Sequence, residues 1–152
     1  MQVKEIMRIK GNTLYSAAPD TMLSDCVILM ADNDIGSLVV MDKGKLIGMV
    51  TFREVIKILA KRQIERRTGP TPTMAEIRVE EVMDRDPIIV APDTEVDELR
   101  RNMLEHHSRY VPVMEGEAVL GVVSFHDVAK AVLEEQGFEN RMLKGYIKNW
   151  PA

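Results

Sequence analysis

The tetrapeptide Ala18-Pro19-Asp20-Thr21 returns as Ala91-Pro92-Asp93-Thr94, displaced by 91 − 18 = 73 residues, and this recurrence decides the fold. Outward from it the register holds without a gap. Met30 answers to Met103, Val40-Met41 to Val113-Met114, Gly48 to Gly121, Phe52 to Phe125 and Val55 to Val128. Upstream, Val3-Lys4-Glu5-Ile6-Met7 answers to Val79-Glu80-Glu81-Val82-Met83 at 79 − 3 = 76, so the second copy has a slightly shorter lead-in. Duplication at a fixed period marks a fold in which each copy leaves a face for the other to cover.

Each copy carries the same pattern of periodicities. A short strand (Leu14 to Ala17; Ile88 to Val90) ends at Pro-Asp-Thr, where Asp or Thr is expected to cap the helix that follows, to about Asn33 and His106. Two strands come next. Gly36 to Met41 and Lys45 to Val50 flank Asp42-Lys43-Gly44; Tyr110 to Met114 and Ala118 to Val123 flank Glu115-Gly116-Glu117, both hairpin patterns. A second helix closes each copy, Phe52 to about Arg66 and Phe125 to about Glu135. The fold class expected is α/β (α+β), two βαββα repeats packed face to face. The divisions expected are 1–66 for the first module with its lead-in, a breaker-rich linker at 67–78, 79–136 for the second module, and 137–152 for an amphipathic C-terminal helix. In that last segment Phe138, Met142, Tyr146 and Trp150 recur every four residues, with Leu143 and Ile147 alongside, and the face is expected to pack on its own module or on a second subunit.

Composition narrows the function. The 152 residues carry a net charge of −4, which argues against duplex nucleic acid as a partner. No segment approaches the ~20 apolar residues of a membrane span, and the N-terminus lacks a signal-peptide core, so the default location is cytoplasmic and no membrane insertion is expected. The single cysteine, Cys26, lies beside Val27, Ile28 and Leu29 and reads as a buried helix position. His106-His107 ends a helix, where a cation suits the dipole, and a zinc site is not expected. Lys57, Lys61, Arg62, Arg66 and Arg67 read as a solvated face.

The motif that could carry function sits at the strand-to-helix corner: Gly48-Met49-Val50-Thr51-Phe52-Arg53-Glu54, then Gly121-Val122-Val123-Ser124-Phe125-His126-Asp127. Two readings compete. In one, Thr51 and Ser124 are N-caps and the acid three residues on completes a capping box. In the other, hydroxyl and helix N-terminus face a phosphate while the carboxylate accepts the vicinal hydroxyls of a ribose. Ser124, His126 and Asp127 superficially suggest a catalytic relay. Successive residues at a helix start point apart, however, and no Walker-type loop is present, so the expectation is that the chain is not an enzyme.

With Ile35-Gly36-Ser37-Leu38-Val39-Val40 and Ser108-Arg109-Tyr110-Val111-Pro112-Val113, these corners and the lead-in Val79 to Met83 resemble the cystathionine-beta-synthase-type (CBS) domain family, in its small stand-alone pairs. The resemblance implies a pseudo-two-fold Bateman-type module with two clefts. It implies no required cofactor, but an adenosine-containing regulatory ligand such as AMP, ADP, ATP or NADH, together with homodimerisation and an effector protein of unknown identity. Carried onto this chain, it puts ribose on Asp127, phosphate near Ser124, His126 and Arg109, and adenine against Leu14 and Ile35, with Gly36 allowing close backbone approach and Val122 as a further nucleotide-binding residue. A possible second cleft would use Thr51, Arg53 and Glu54, with Pro87 and Ser108 opposite. There the chain departs from the family's usual Asp, because Glu54 is one methylene longer. The competing expectation is a ligand-free dimerisation scaffold whose corners are only helix caps.

Overall fold

The computed structural model describes residues 1–11, 13–66, 69–70 and 72–148, except the side chains of residues 139 and 146–148. The chain opens with α1 (Val3–Lys10), followed by β1 (Ser16–Ala17), α2 (Leu23–Asp32), β2 (Ser37–Asp42), β3 (Lys45–Thr51) and α3 (Phe52–Glu65). Two single 3-10 turns, Met74–Glu76 and Val79–Glu81, lead to α4 (Val96–His106), β4 (Tyr110–Glu115), β5 (Ala118–Ser124) and α5 (Phe125–Lys148). β1 pairs parallel to β2, which pairs antiparallel to β3; β4 pairs antiparallel to β5. The duplication extends to irregularities, for both hairpins slip register at equivalent places, between Val40 and Met41 and between Val113 and Met114.

The lead-ins are exchanged. Val3, Ile6 and Met7 of α1 are buried with Val90, Val96, Leu99, Met103, Val111 and Val123 of the second copy. Ile77, Val79 and Met83 are buried with Leu23, Cys26, Met30, Leu38, Val40 and Val50 of the first. Matching backbone bonds hold each crossing. The Val3 and Lys4 N–H groups donate to Thr94 O at 2.9 Å and Pro92 O at 2.8 Å, and those of Val79 and Glu80 to Thr21 O at 2.8 Å and Pro19 O at 3.1 Å. The crossing also explains both corner glycines. A Cβ on Gly48 would lie 2.6 Å from Met83 Sδ, and one on Gly121 would overlap the terminal methyl of Met7, so each glycine makes room for the methionine of the other copy's lead-in.

Several local expectations change. The Pro-Asp-Thr triplets do not cap helices: α2 and α4 begin after Met22 and Glu95, with no side-chain cap. Thr21 Oγ1 and Thr94 Oγ1 instead accept the Ala18 and Ala91 N–H groups, at 3.1 and 3.3 Å, closing turns whose carbonyls are committed to the incoming lead-ins. The strand expected over Leu14 to Ala17 shrinks to two residues, and that over Ile88 to Val90 to one parallel bridge, Val90 to Val113. α5 runs unbroken through the boundary expected near residue 136. One helical glycine, Gly137, costs only about 1 kcal/mol among good helix formers. Of the face expected to pack on its own module or on a second subunit, Phe138, Met142 and Leu143 are exposed and unpacked on their own module. The side chains of Tyr146 and Ile147, and Trp150 with linker residues Arg67, Thr68 and Thr71, lie outside the described residues.

Candidate functional site

Both corner motifs form at strand-to-helix junctions, β3 to α3 and β5 to α5, and both close on themselves. Thr51 N–H donates to Glu54 Oε1 at 2.8 Å, the Thr51 hydroxyl donates to the same oxygen at 2.9 Å, and Arg53 N–H donates to Thr51 Oγ1 at 3.1 Å. In the second copy Ser124 N–H donates to Asp127 Oδ2 at 2.9 Å and Asp127 N–H to Ser124 Oγ at 3.0 Å. The capping reading therefore holds at both corners. It does not exhaust the carboxylates, because a capped acid uses one oxygen and keeps another.

Around the second corner lies a cleft of about 940 Å³ between the copies. It gathers Leu14, Ile35, Gly36, Arg109, Val122, Ser124, His126 and Asp127, all eight residues expected there. Gly36 makes room for two aromatic rings: a Cβ on it would overlap the Tyr110 hydroxyl and lie 2.6 Å from the Phe52 ring. Those two rings meet edge to face, centroids 6.3 Å apart. A smaller cleft of about 370 Å³ gathers Thr51, Arg53, Glu54, Pro87 and Ser108. Arg53, His107, Ser108, Arg109 and Tyr110 border both clefts. His107 caps α4 in the left-handed conformation, with φ 53°, and turns this shared wall between them.

Lys10 was not visible as a site residue in the sequence. Its Nζ donates to Asp127 Oδ2 at 2.7 Å and to Val122 O at 2.8 Å. Burial works to raise the Asp127 carboxyl, but the Lys10 ammonium and the Ser124 bonds outweigh it and hold the group below its usual range. Burial raises the Tyr110 phenol, with Asp127 adding to the effect and Arg109 opposing it. Three fixed cations, Lys10, Arg53 and Arg109, thus line the larger cleft against two carboxylates, Asp34 and Asp127. Among the described residues Asp127 makes no bond to His126, so Ser124, His126 and Asp127 form no relay. Nor is any group of three or more potential metal ligands gathered among them.

The CBS domain model matches residues 3–61 and 79–134, the two copies with their lead-ins. The chain belongs to the CBS-domain family. Among curated CBS proteins it is similar to mitochondrial CBSX3 of Arabidopsis thaliana, 29% identical over 96% of this chain and 71% of that protein. Among solved structures it is similar to a CBS-domain protein from Burkholderia ambifaria, with TM-score 0.79, 29% identity and coverage of 90% and 96% of the two chains. The same CBS-pair fold occurs in protein MJ0100, described with 5-methylthioadenosine and S-adenosylmethionine, at TM-score 0.74 and 23% identity over 89% of this chain and 98% of that one. It occurs again in CBSX2, described with AMP, at TM-score 0.70 and 22% identity over 89% and 98%.

Proposed function

We propose that this CBS pair is a regulatory module that binds an adenine nucleotide, AMP, ADP, ATP or NADH, in the cleft at Asp127 without transforming it. The observation that carries the reading is the convergence, between two copies, of an ionised half-buried carboxylate with a free oxygen, the N-terminus of a long helix, the Arg109 guanidinium and an apolar wall of Leu14, Ile35 and Val122. Those groups match ribose, phosphate and adenine in turn. Adenosyl compounds held by MJ0100 and CBSX2 support the ligand class. The Glu54 cleft is the secondary site, the smaller of the two, and its acid is one methylene longer than the aspartate of the other corner. The ligand would favour one arrangement of the two copies, and an effector protein would read it. Exposed Phe52, Ile56 and Leu59, one stripe of α3, support a homodimer. No described helix is long and apolar enough to cross a membrane.

A thermal-shift series with AMP, ADP, ATP, NADH and S-adenosylmethionine tests the reading. Ligand at 100 times its dissociation constant adds about 2.7 kcal/mol of stability. Asp127→Ala should weaken binding much more than Glu54→Ala, and equal losses would overturn the ranking of the clefts. The completed capping boxes favour one second reading, a ligand-free dimerisation scaffold, which prevails if none of the five compounds shifts the melt.

A further inference from the structure

The Lys10 ammonium stands where a ribose would have to bind. Asp127 Oδ2 accepts both Lys10 Nζ, at 2.7 Å, and the Ser124 N–H, at 2.9 Å, which commits both lone pairs of that oxygen. A vicinal diol that grips a carboxylate with both hydroxyls needs both oxygens. Among the described residues only Oδ1 is open. The diol must therefore displace the ammonium or accept half of the contact.

What displacement costs depends on what the ligand gives back. Leaving Asp127 strips Lys10 of a charge-assisted bond and of its bond to Val122 O. A nucleoside brings no anion to replace them. A nucleotide brings a phosphate into the same cleft, where the flexible stem of a lysine can carry its charge across; the Lys10 side chain is 40% exposed. The backbone, by contrast, is fixed. Lys10 is the last residue of α1, whose end is closed by the Gly11 N–H donating to Met7 O at 3.0 Å, and Met7 is buried in the second copy's core.

We infer that Lys10 is a specificity-determining residue of this cleft, a tethered competitor for Asp127 that penalises uncharged adenosine compounds relative to phosphorylated ones. The inference rests on the nucleotide reading of the cleft and adds a selection rule to it.

Calorimetric titration of the full chain with adenosine and with AMP tests it, using wild type, Lys10→Met and Lys10→Arg. Lys10→Met keeps the unbranched stem and removes the charge. It should bind adenosine about three- to tenfold more tightly, the scale of a partly exposed charge-assisted bond, with no gain for AMP. Lys10→Arg should restore the wild-type preference for AMP. Adenosine binding that is unchanged or weaker in Lys10→Met, with AMP still bound by wild type, overturns the role of Lys10 and leaves the nucleotide site standing. Failure of all three proteins to bind AMP overturns the site, and this inference with it.

Discussion

Alanine at Gly48 and at Gly121 should have unequal effects, although the two glycines are equivalent by sequence. At Gly48 an added Cβ would sit 2.6 Å from Met83 Sδ and 2.9 Å from the backbone oxygen of Asp84. That oxygen cannot retreat, because Asp84 and Met49 exchange both backbone bonds, at 2.9 and 2.8 Å. At Gly121 the close group among the described residues is the tip of the Met7 side chain, which can rotate away. Overpacking against fixed atoms costs about 1–3 kcal/mol, and replacing a strand glycine returns about 0.5–1 through the unfolded chain. The net is a loss of about 1–2 kcal/mol for Gly48→Ala and roughly zero for Gly121→Ala. For a chain of this size that separates the melting temperatures by about 3–6 °C, with Gly48→Ala the lower. Thermal and urea melts of both variants measure it. Equal melts, or Gly121→Ala as the less stable, would show that the fixed Asp84 oxygen does not set the cost at the Gly48 corner.

Three further outcomes follow from the same contacts. Folding lowers the Asp127 carboxyl, so the stability it contributes is complete above the ordinary carboxylate value of about 3.9 and drains away as pH falls through the folded value; melts of wild type and Asp127→Asn should differ at pH 7 and converge toward pH 3, and a constant gap contradicts this. Burial, with Asp25 adding, pushes the Cys26 thiol up to about 11, so a thiol reagent at pH 8 should leave the native protein unmodified and label one site in denaturant; rapid native labelling would refute the burial. Deleting residues 1–10 removes Val3, Ile6 and Met7 from the second copy's core, at about 1.5–3 kcal/mol each, so hydrogen exchange should accelerate through residues 90–131 before 15–60, and uniform acceleration would refute the exchange.

The parts legible in the sequence were those written in short-range periodicity. Hairpins, helices and corner boxes depend on neighbours within a few residues, and both copies repeat them. The exchanged lead-ins were not legible, because an offset of 76 against 73 shows that a segment is separate without showing whose core it enters. Lys10 was hidden for the same reason: 117 residues separate it from Asp127, and no local pattern records the contact. The Pro-Asp-Thr triplets misled because capping residues and turn residues are the same residue types, and only the crossing bonds show which use prevails. Membership of the eight-residue cleft was legible from the family resemblance; that a lysine already holds its carboxylate was not.

The crossing has a consequence for any shorter version of this polypeptide. One copy cut free at the linker would carry a lead-in with nothing to enter and a hollow with nothing to fill it. Two such fragments set face to face would satisfy each other completely, because each possesses what the other lacks. Joining them in one chain changes the molecularity and leaves the contacts alone: an encounter that would vary with concentration becomes a closure within one molecule. The 73-residue echo is in this sense a dimer written as a single sentence.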